Sequence, residues 1–181
     1  MGSGGSRFKG ADGASGWNGM GAARRLTHAA LIAAVYAALT LWLAPLSFAQ
    51  QQLRVAEALS VLPAFTPAAA PGLFVGCIIA NIFSPLGLPD MICGSLATLV
   101  SALLARAIAL RLNGRGAVWL RAVLVPLPAV LVNTVVIGAM ICIMTGVAFP
   151  AAALGVLSGQ ALSCYGLGVP LYFAFRVFTR H

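Results

Sequence analysis

Arg54, Glu57 and Asp90 are the residues of this chain best suited to chemistry, because they bring charge to a sequence that has little. Asp and Glu together number 3 in 181 residues. Arg54 and Glu57 stand three apart in "FAQQQLRVAEALSVLP", a spacing that puts both on one face of a helix. Gln50, Gln51 and Gln52 run just ahead of them, and Asn81 and Ser84 precede Asp90 in "NIFSPLGLPD". These groups accept and donate hydrogen bonds to a polar small molecule. Charges beside lipid are costly, so polar residues in a membrane protein face its interior or a water-filled cavity and mark functional sites by default. One reading is a structural ion pair that stitches the Arg54–Glu57 segment to a neighbour. The other is a polar ligand pocket, which explains why Asp90 and several amides keep the pair company.

The chemistry that is missing narrows the choice. His28 and His181 are the only histidines and Lys9 the only lysine, so common acid–base and metal chemistry is poorly supplied. No GxxxxGK[ST], HExxH or GxSxG string occurs, which argues against a P-loop ATPase, a zinc protease or a serine hydrolase. An enzyme is not expected, and no cofactor or metal is implied. Cys77, Cys93, Cys142 and Cys164 lie in apolar runs without a CxxC pair, and read as small buried hydrophobes.

The elements that must position these residues are membrane spans. The chain is 61% hydrophobic and 8% charged, with a mean hydropathy of +0.99. Soluble domains carry about 25% charged residues, so the class is an integral membrane protein. The net charge of +8 does not imply nucleic acid, because the basic residues flank apolar runs and line no single face. They read as topology signals and contacts to anionic lipid. Residues 1–23 are Gly/Ser-rich and aperiodic, the pattern of a flexible tail. The run that follows reads as a retained anchor, not a cleaved signal.

Residues 24–181 divide into six apolar segments, at roughly 20 residues per span. They cover 26–44, 51–65, 72–83, 89–112, 118–144 and 151–175, so the fold class is an all-α bundle of six transmembrane helices. Pro45, Pro63, Pro67, Pro71 and Pro85 punctuate the first half. The second segment is short, about 22 Å at 1.5 Å per residue. Pro126 and Pro128 should kink the fifth helix, and Gly166, Gly168 and Pro170 should break or bend the sixth. Six spans put both termini on one side. Arg7, Lys9, Arg24, Arg25, Arg106, Arg111, Arg115, Arg121, Arg176 and Arg180 then all fall on that side, which is cytoplasmic by the positive-inside rule. Glu57, Arg54, Gln52, Asp90 and Asn81 fall near the opposite, outer ends. Asn133 and Gln160 sit in mid-span, as interhelical hydrogen bonds or as further pocket residues.

The first segment carries two stripes of small residues: Ala30, Ala34 and Ala38, and beside them Ala29, Ala33 and Ala37. Such stripes let helix backbones approach closely. One stripe can pack inward while the other meets a partner, and the sequence does not say which. The third segment has a similar row, Gly72, Gly76, Ala80 and Ser84, read as internal packing.

The strings "AALIAAVYAALTLWLAPLSFAQQQLRVAEALSVLP", "GLFVGCIIANIFSPLGLPDMICGSLATLVSALLA", "VNTVVIGAM" and "YGLGVPLYFA" resemble the QueT family over residues 27–175. The QxRxxEAL string and the Asn81-to-Asp90 spacing are its most specific parts; Ala49 stands where the family pattern has glycine. The resemblance implies a substrate-binding S component of an energy-coupling factor (ECF) transporter. It implies a 7-deazaguanine precursor of queuosine as ligand, and as partners a transmembrane coupling subunit with two ATPases. It also implies that a helix 1 alanine face docks on the coupling subunit. On that basis Glu57 would accept the N–H donors of a guanine-like edge and Arg54 or Gln52 would donate to its carbonyl. Asp90 would meet an aminomethyl cation, and Trp42, Tyr36 or Tyr165 would supply a stacking face. An S component for another vitamin-like compound stays open, as does an assembly subunit in which Arg54 and Glu57 face each other beside no cavity.

Overall fold

The computed structural model describes residues 21–47, 53–113 and 117–178. Every regular element among them is helical. The elements are α1 (Ala22–Trp42), a single turn α2 (Ala44–Ser47), a 3-10 helix (Val55–Ala64), α3 (Ala69–Asn81) and α4 (Leu88–Arg111). They continue as α5 (Val118–Leu124), α6 (Leu127–Thr145), α7 (Phe149–Ala161), a π-helical turn (Leu162–Leu167) and α8 (Gly168–Phe178). Four continuous segments are long and apolar enough to cross a bilayer: Ala22–Trp42, Leu88–Arg111, Val118–Thr145 and Phe149–Phe178. Val55–Ala64 and Ala69–Asn81 are apolar but shorter. The expected second helix over 51–65 is therefore a 3-10 helix, and Gln50, Gln51 and Gln52 lie outside the described residues.

The breaks follow the prolines and glycines. The expected kink of the fifth segment is the α5–α6 junction at Val125 and Pro126, where proline has no N–H to continue the ladder. The bend of the sixth segment is the π-turn that ends at Gly168. Gly146 closes α6 in the left-handed region, at φ 74°. Gly87 takes φ 63° just ahead of α4, so the chain turns sharply and delivers Asp90 into the first turn of that helix.

The 3-10 helix is the hub. Ala56 to Pro63 are all buried, because α1, α3, α4, the π-turn and α8 pack around it. A helix apolar on all sides belongs in an interior. Against it, α1 and α3 pack backbone to backbone. A Cβ on Gly72 would come within 2.7 Å of the Ala29 carbonyl, and one on Gly76 within 2.7 Å of the Ala33 carbonyl. This seam resolves the two stripes. Ala33 and Ala37 are buried and Ala29 is half-buried, whereas Ala30, Ala34 and Ala38 are exposed. Ala33 and Ala37, with the half-buried Ala29, thus pack inward along α3. The outward faces carry exposed Ile, Leu, Val and Phe side chains such as Ile79, Leu103, Leu131 and Ile143. An apolar exterior of this kind suits lipid.

Candidate functional site: a buried carboxylate cluster

Local chain geometry brings Arg54, Asn81, Ser84 and Asp90 to one place. Arg54 precedes the 3-10 helix in extended conformation, so it does not share the Glu57 face as an α-helical spacing would require. Its guanidinium Nη2 instead donates to both oxygens of Asp90, at 2.8 and 3.0 Å. Ser84 Oγ donates to Asp90 Oδ2 at 2.5 Å, and Asn81 Nδ2 donates to the Asp90 carbonyl at 3.0 Å. The α3–α4 turn is therefore folded onto the first turn of α4, where a carboxylate also meets the positive end of the helix. Arg54 is 2% exposed and Asp90 0%. An ion pair this dry holds only because its hydrogen bonds are nearly complete.

Glu57 occupies the next turn inward. Its Oε1 accepts from the Tyr36 hydroxyl on α1 at 2.7 Å and from Thr98 Oγ1 on α4 at 3.3 Å. Its Oε2 is buried and has no hydrogen-bond partner among the described residues; nor does Asn81 Oδ1. A buried carboxylate oxygen without a donor is costly, and such exceptions call for an explanation. Cys77 links the two groups: Thr98 Oγ1 lies 3.6 Å from its Sγ, Asn81 Nδ2 3.4 Å and Arg54 Nη1 3.9 Å. Gly94 gives the cluster room, since a Cβ there would come within 2.7 Å of Asn81 Nδ2 and 3.3 Å of Asp90 Oδ1.

A second polar group lies behind Glu57. Asn133 Nδ2 donates to Gln160 Oε1 at 3.3 Å across α6 and α7. Cys164 Sγ sits 3.6 Å from the Glu57 carbonyl, 3.8 Å from Gln160 Oε1 and 3.8 Å from Ser60 Oγ. Asn133 thus makes an interhelical hydrogen bond, and through Gln160 and Cys164 it is linked to the Glu57 main chain, not to a carboxylate. Tyr165 does not join them, because it packs half-buried with Ala129, Val130 and Leu157. Trp42 is 79% exposed. Of the three aromatics considered for a stacking face, Tyr36 is the one at Glu57. Gln52 lies outside the described residues.

Sequence reasoning found the charged members and missed Tyr36 as a hydrogen-bond donor, Thr98, Cys77 and Gly94. Asp90, expected as a ligand's counter-ion, accepts from Arg54 on both oxygens and from Ser84 on Oδ2. Among the described residues no group of three His, Cys, Asp or Glu side chains could hold a metal ion.

No curated protein and no solved structure gives a significant match to this chain. The family model described as QueT transporter matches residues 26–176, which include every charged and amide residue placed in the site above. That match covers most of the chain, and the chain belongs to the QueT transporter family of membrane transport proteins.

Proposed function

We propose that the chain is the substrate-binding S component of an ECF-type importer, and that Glu57 recognises a 7-deazaguanine-type precursor of queuosine. Glu57 Oε2 is the observation that carries this reading. It is buried, has no partner among the described residues, and belongs to a carboxylate fixed from its other oxygen by Tyr36 and Thr98. A guanine-like edge offers adjacent N–H donors; the first reaches Oε2, and a second would replace the longer Thr98 contact on Oε1. Arg54, held by Asp90, donates to the base carbonyl in this reading. Glu57 is 1% exposed, so access requires the surrounding elements to part. A 3-10 helix of 10 residues is unusually long, and such stretches often mark hinges.

In this reading six spans cross a prokaryotic cytoplasmic membrane with both termini inside. The coupling subunit, which carries two ATPases on its cytoplasmic side, docks on the exposed Ala30, Ala34 and Ala38 face. The assembly-subunit alternative predicted Arg54 facing Glu57, but the ion pair is with Asp90. Calorimetric titration of the purified chain with a panel of 7-deazaguanines and vitamins tests the reading. Saturable binding of a deazaguanine supports it, and binding of an unrelated vitamin alone would replace it with the other S-component alternative.

A further inference from the structure

The 3-10 helix carries Glu57 in its first turn and borders an apolar groove toward its other end. The groove encloses about 330 Å³ between α1, the 3-10 helix and α8. Leu59 and Leu62 are buried and stand one above the other, at 3.0 residues per turn, as its floor. Leu31, Ile32 and Val35 of α1 and Phe175 of α8 form its sides. Leu31, Val35 and Phe175 are exposed, so the groove opens on the apolar exterior of the bundle.

The groove is polar at one end only. Tyr36 bonds to Glu57, whereas His28, about two turns earlier on α1, lines the groove with Thr66, just past the end of the 3-10 helix. The two elements therefore run antiparallel, and His28 and Thr66 share one end. Basic residues gather there. Arg24 and Arg25 precede His28 by four and three residues and lie on its face of α1. The Phe175 ring lies 6.0 Å from that of Phe65, the neighbour of Thr66, and Arg176 follows Phe175. Arg106 donates to the Pro63 carbonyl, one turn before Thr66, at 3.1 Å. At the other end, about 10 Å along α1, Val35 and Leu59 present only hydrocarbon.

We infer that this groove binds an anionic phospholipid, with an acyl chain along Val35, Leu59 and Leu62 and the phosphate among Arg24, Arg25, His28 and Arg176. A groove that is basic at its mouth and apolar along its length matches an anionic amphiphile. In the six-span orientation the basic end lies at the cytoplasmic leaflet, where anionic lipids concentrate and basic pockets between spans hold their headgroups. Hydrocarbon already surrounds the groove, so the acyl chain gains only packing, and preference over bulk lipid comes from the phosphate. A helix of another subunit would cover the same walls but would bring no anion to the arginines. The groove also uses a different stripe of α1 from Ala30, Ala34 and Ala38.

Native mass spectrometry of the purified full chain in dodecyl maltoside tests this, by titration with dioleoylphosphatidylglycerol or dioleoylphosphatidylcholine. The two lipids share their acyl chains and differ in net charge. The wild type should bind phosphatidylglycerol about tenfold more tightly than phosphatidylcholine. Arg25→Gln combined with Arg176→Gln should bring the two lipids within about twofold of each other. Arg111→Gln, at an exposed position at the end of α4, should keep the preference. Val35→Trp, which fills the groove from its exposed side, should weaken both lipids about tenfold. The wild-type comparison needs no variant to fold. Equal binding of the two lipids by the wild type would overturn the inference. So would an equal loss of preference in Arg111→Gln, which would reveal diffuse attraction between a basic chain and anionic lipid. Unchanged lipid binding by Val35→Trp would overturn it too, and if that variant also failed to co-purify with the coupling subunit, the groove would belong to that partner.

Discussion

At the scale of single residues, the two carboxylates have different work. Among the described residues one Glu57 oxygen has two donors and the other has none, whereas each oxygen of Asp90 has at least one. Glu57→Gln keeps the acceptor that Tyr36 and Thr98 use but turns the bare oxygen into a donor facing ligand donors. A mismatch of that kind costs about 1–3 kcal/mol, so affinity for the deazaguanine should fall at least about tenfold. Removing a partly unpaired buried charge should leave the melting temperature unchanged or higher. Affinity lost together with stability would instead make Glu57 a structural residue. Asp90→Asn should behave in the opposite way. It strands the Arg54 guanidinium, at about 3–5 kcal/mol, so thermal unfolding in detergent should drop sharply and all ligands should weaken alike. A selective loss for an aminomethyl ligand would return Asp90 to the pocket. Arg54, Glu57 and Asp90 were legible in the sequence because charge inside an apolar chain is too costly to keep without a reason. Thr98, Tyr36 and Cys77 were not, because single hydroxyls and thiols in apolar helices are ordinary. Gly94 matters through the neighbours it spares, and these emerge only when α3 and α4 are packed.

At the scale of elements, the α1–α3 seam positions Tyr36 over Glu57. Gly76 permits it, since a Cβ there would come within 2.7 Å of the Ala33 carbonyl and 2.9 Å of Tyr36 Cβ. Gly76→Val should therefore force α1 away from α3. Overpacking of this kind costs about 1–3 kcal/mol, and the displaced Tyr36 should release Glu57. Lower thermal stability and weaker ligand binding should appear together. Wild-type values for both would mean that the seam relaxes without moving Tyr36. Proline and glycine made the segment boundaries readable, including the break at Pro126 and the irregular turn before Gly168. Two features were not readable. Both alanine stripes repeat every four residues, so periodicity cannot say which one meets α3. The helical spacing of Arg54 and Glu57 likewise pointed to one face, but the extended backbone at Arg54 sends it to Asp90 instead.

At the scale of the whole molecule, arginines near helix ends also close the fold. Arg106 Nη1 donates to the Pro63 carbonyl at the end of the 3-10 helix, at 3.1 Å, and Arg121 Nη2 to the Ala109 carbonyl at 3.3 Å. In the proposed six-span orientation these lie on the cytoplasmic side, and the α6–α7 turn lies outside. A cysteine placed at Val147 should then react with an impermeant maleimide on intact cells, and one at Asn113 only after permeabilisation; the reverse pattern would invert the topology. That orientation sets up the separation of binding from transport. The carboxylate cluster is enclosed by α1, α3, α4 and the 3-10 helix, whereas Ala30, Ala34 and Ala38 face outward from α1. Beside that face lies an apolar cavity of about 330 Å³ walled by residues that include Leu31, Val35, Leu59, Leu62 and Phe175. A bulky side chain at a close helix–helix contact forfeits dispersion along the whole seam. Ala34→Leu should therefore leave melting temperature and ligand affinity of the isolated chain unchanged, because it touches neither α3 nor Tyr36. Uptake in cells that supply the coupling subunit and ATPases should fall to background, and co-purification of the coupling subunit should be lost. Ala33→Leu, on the buried stripe, should instead unfold the α1–α3 seam and abolish binding as well. Normal uptake by Ala34→Leu would move the docking surface off α1, and loss of ligand binding by that variant would show that the outward stripe also supports the pocket.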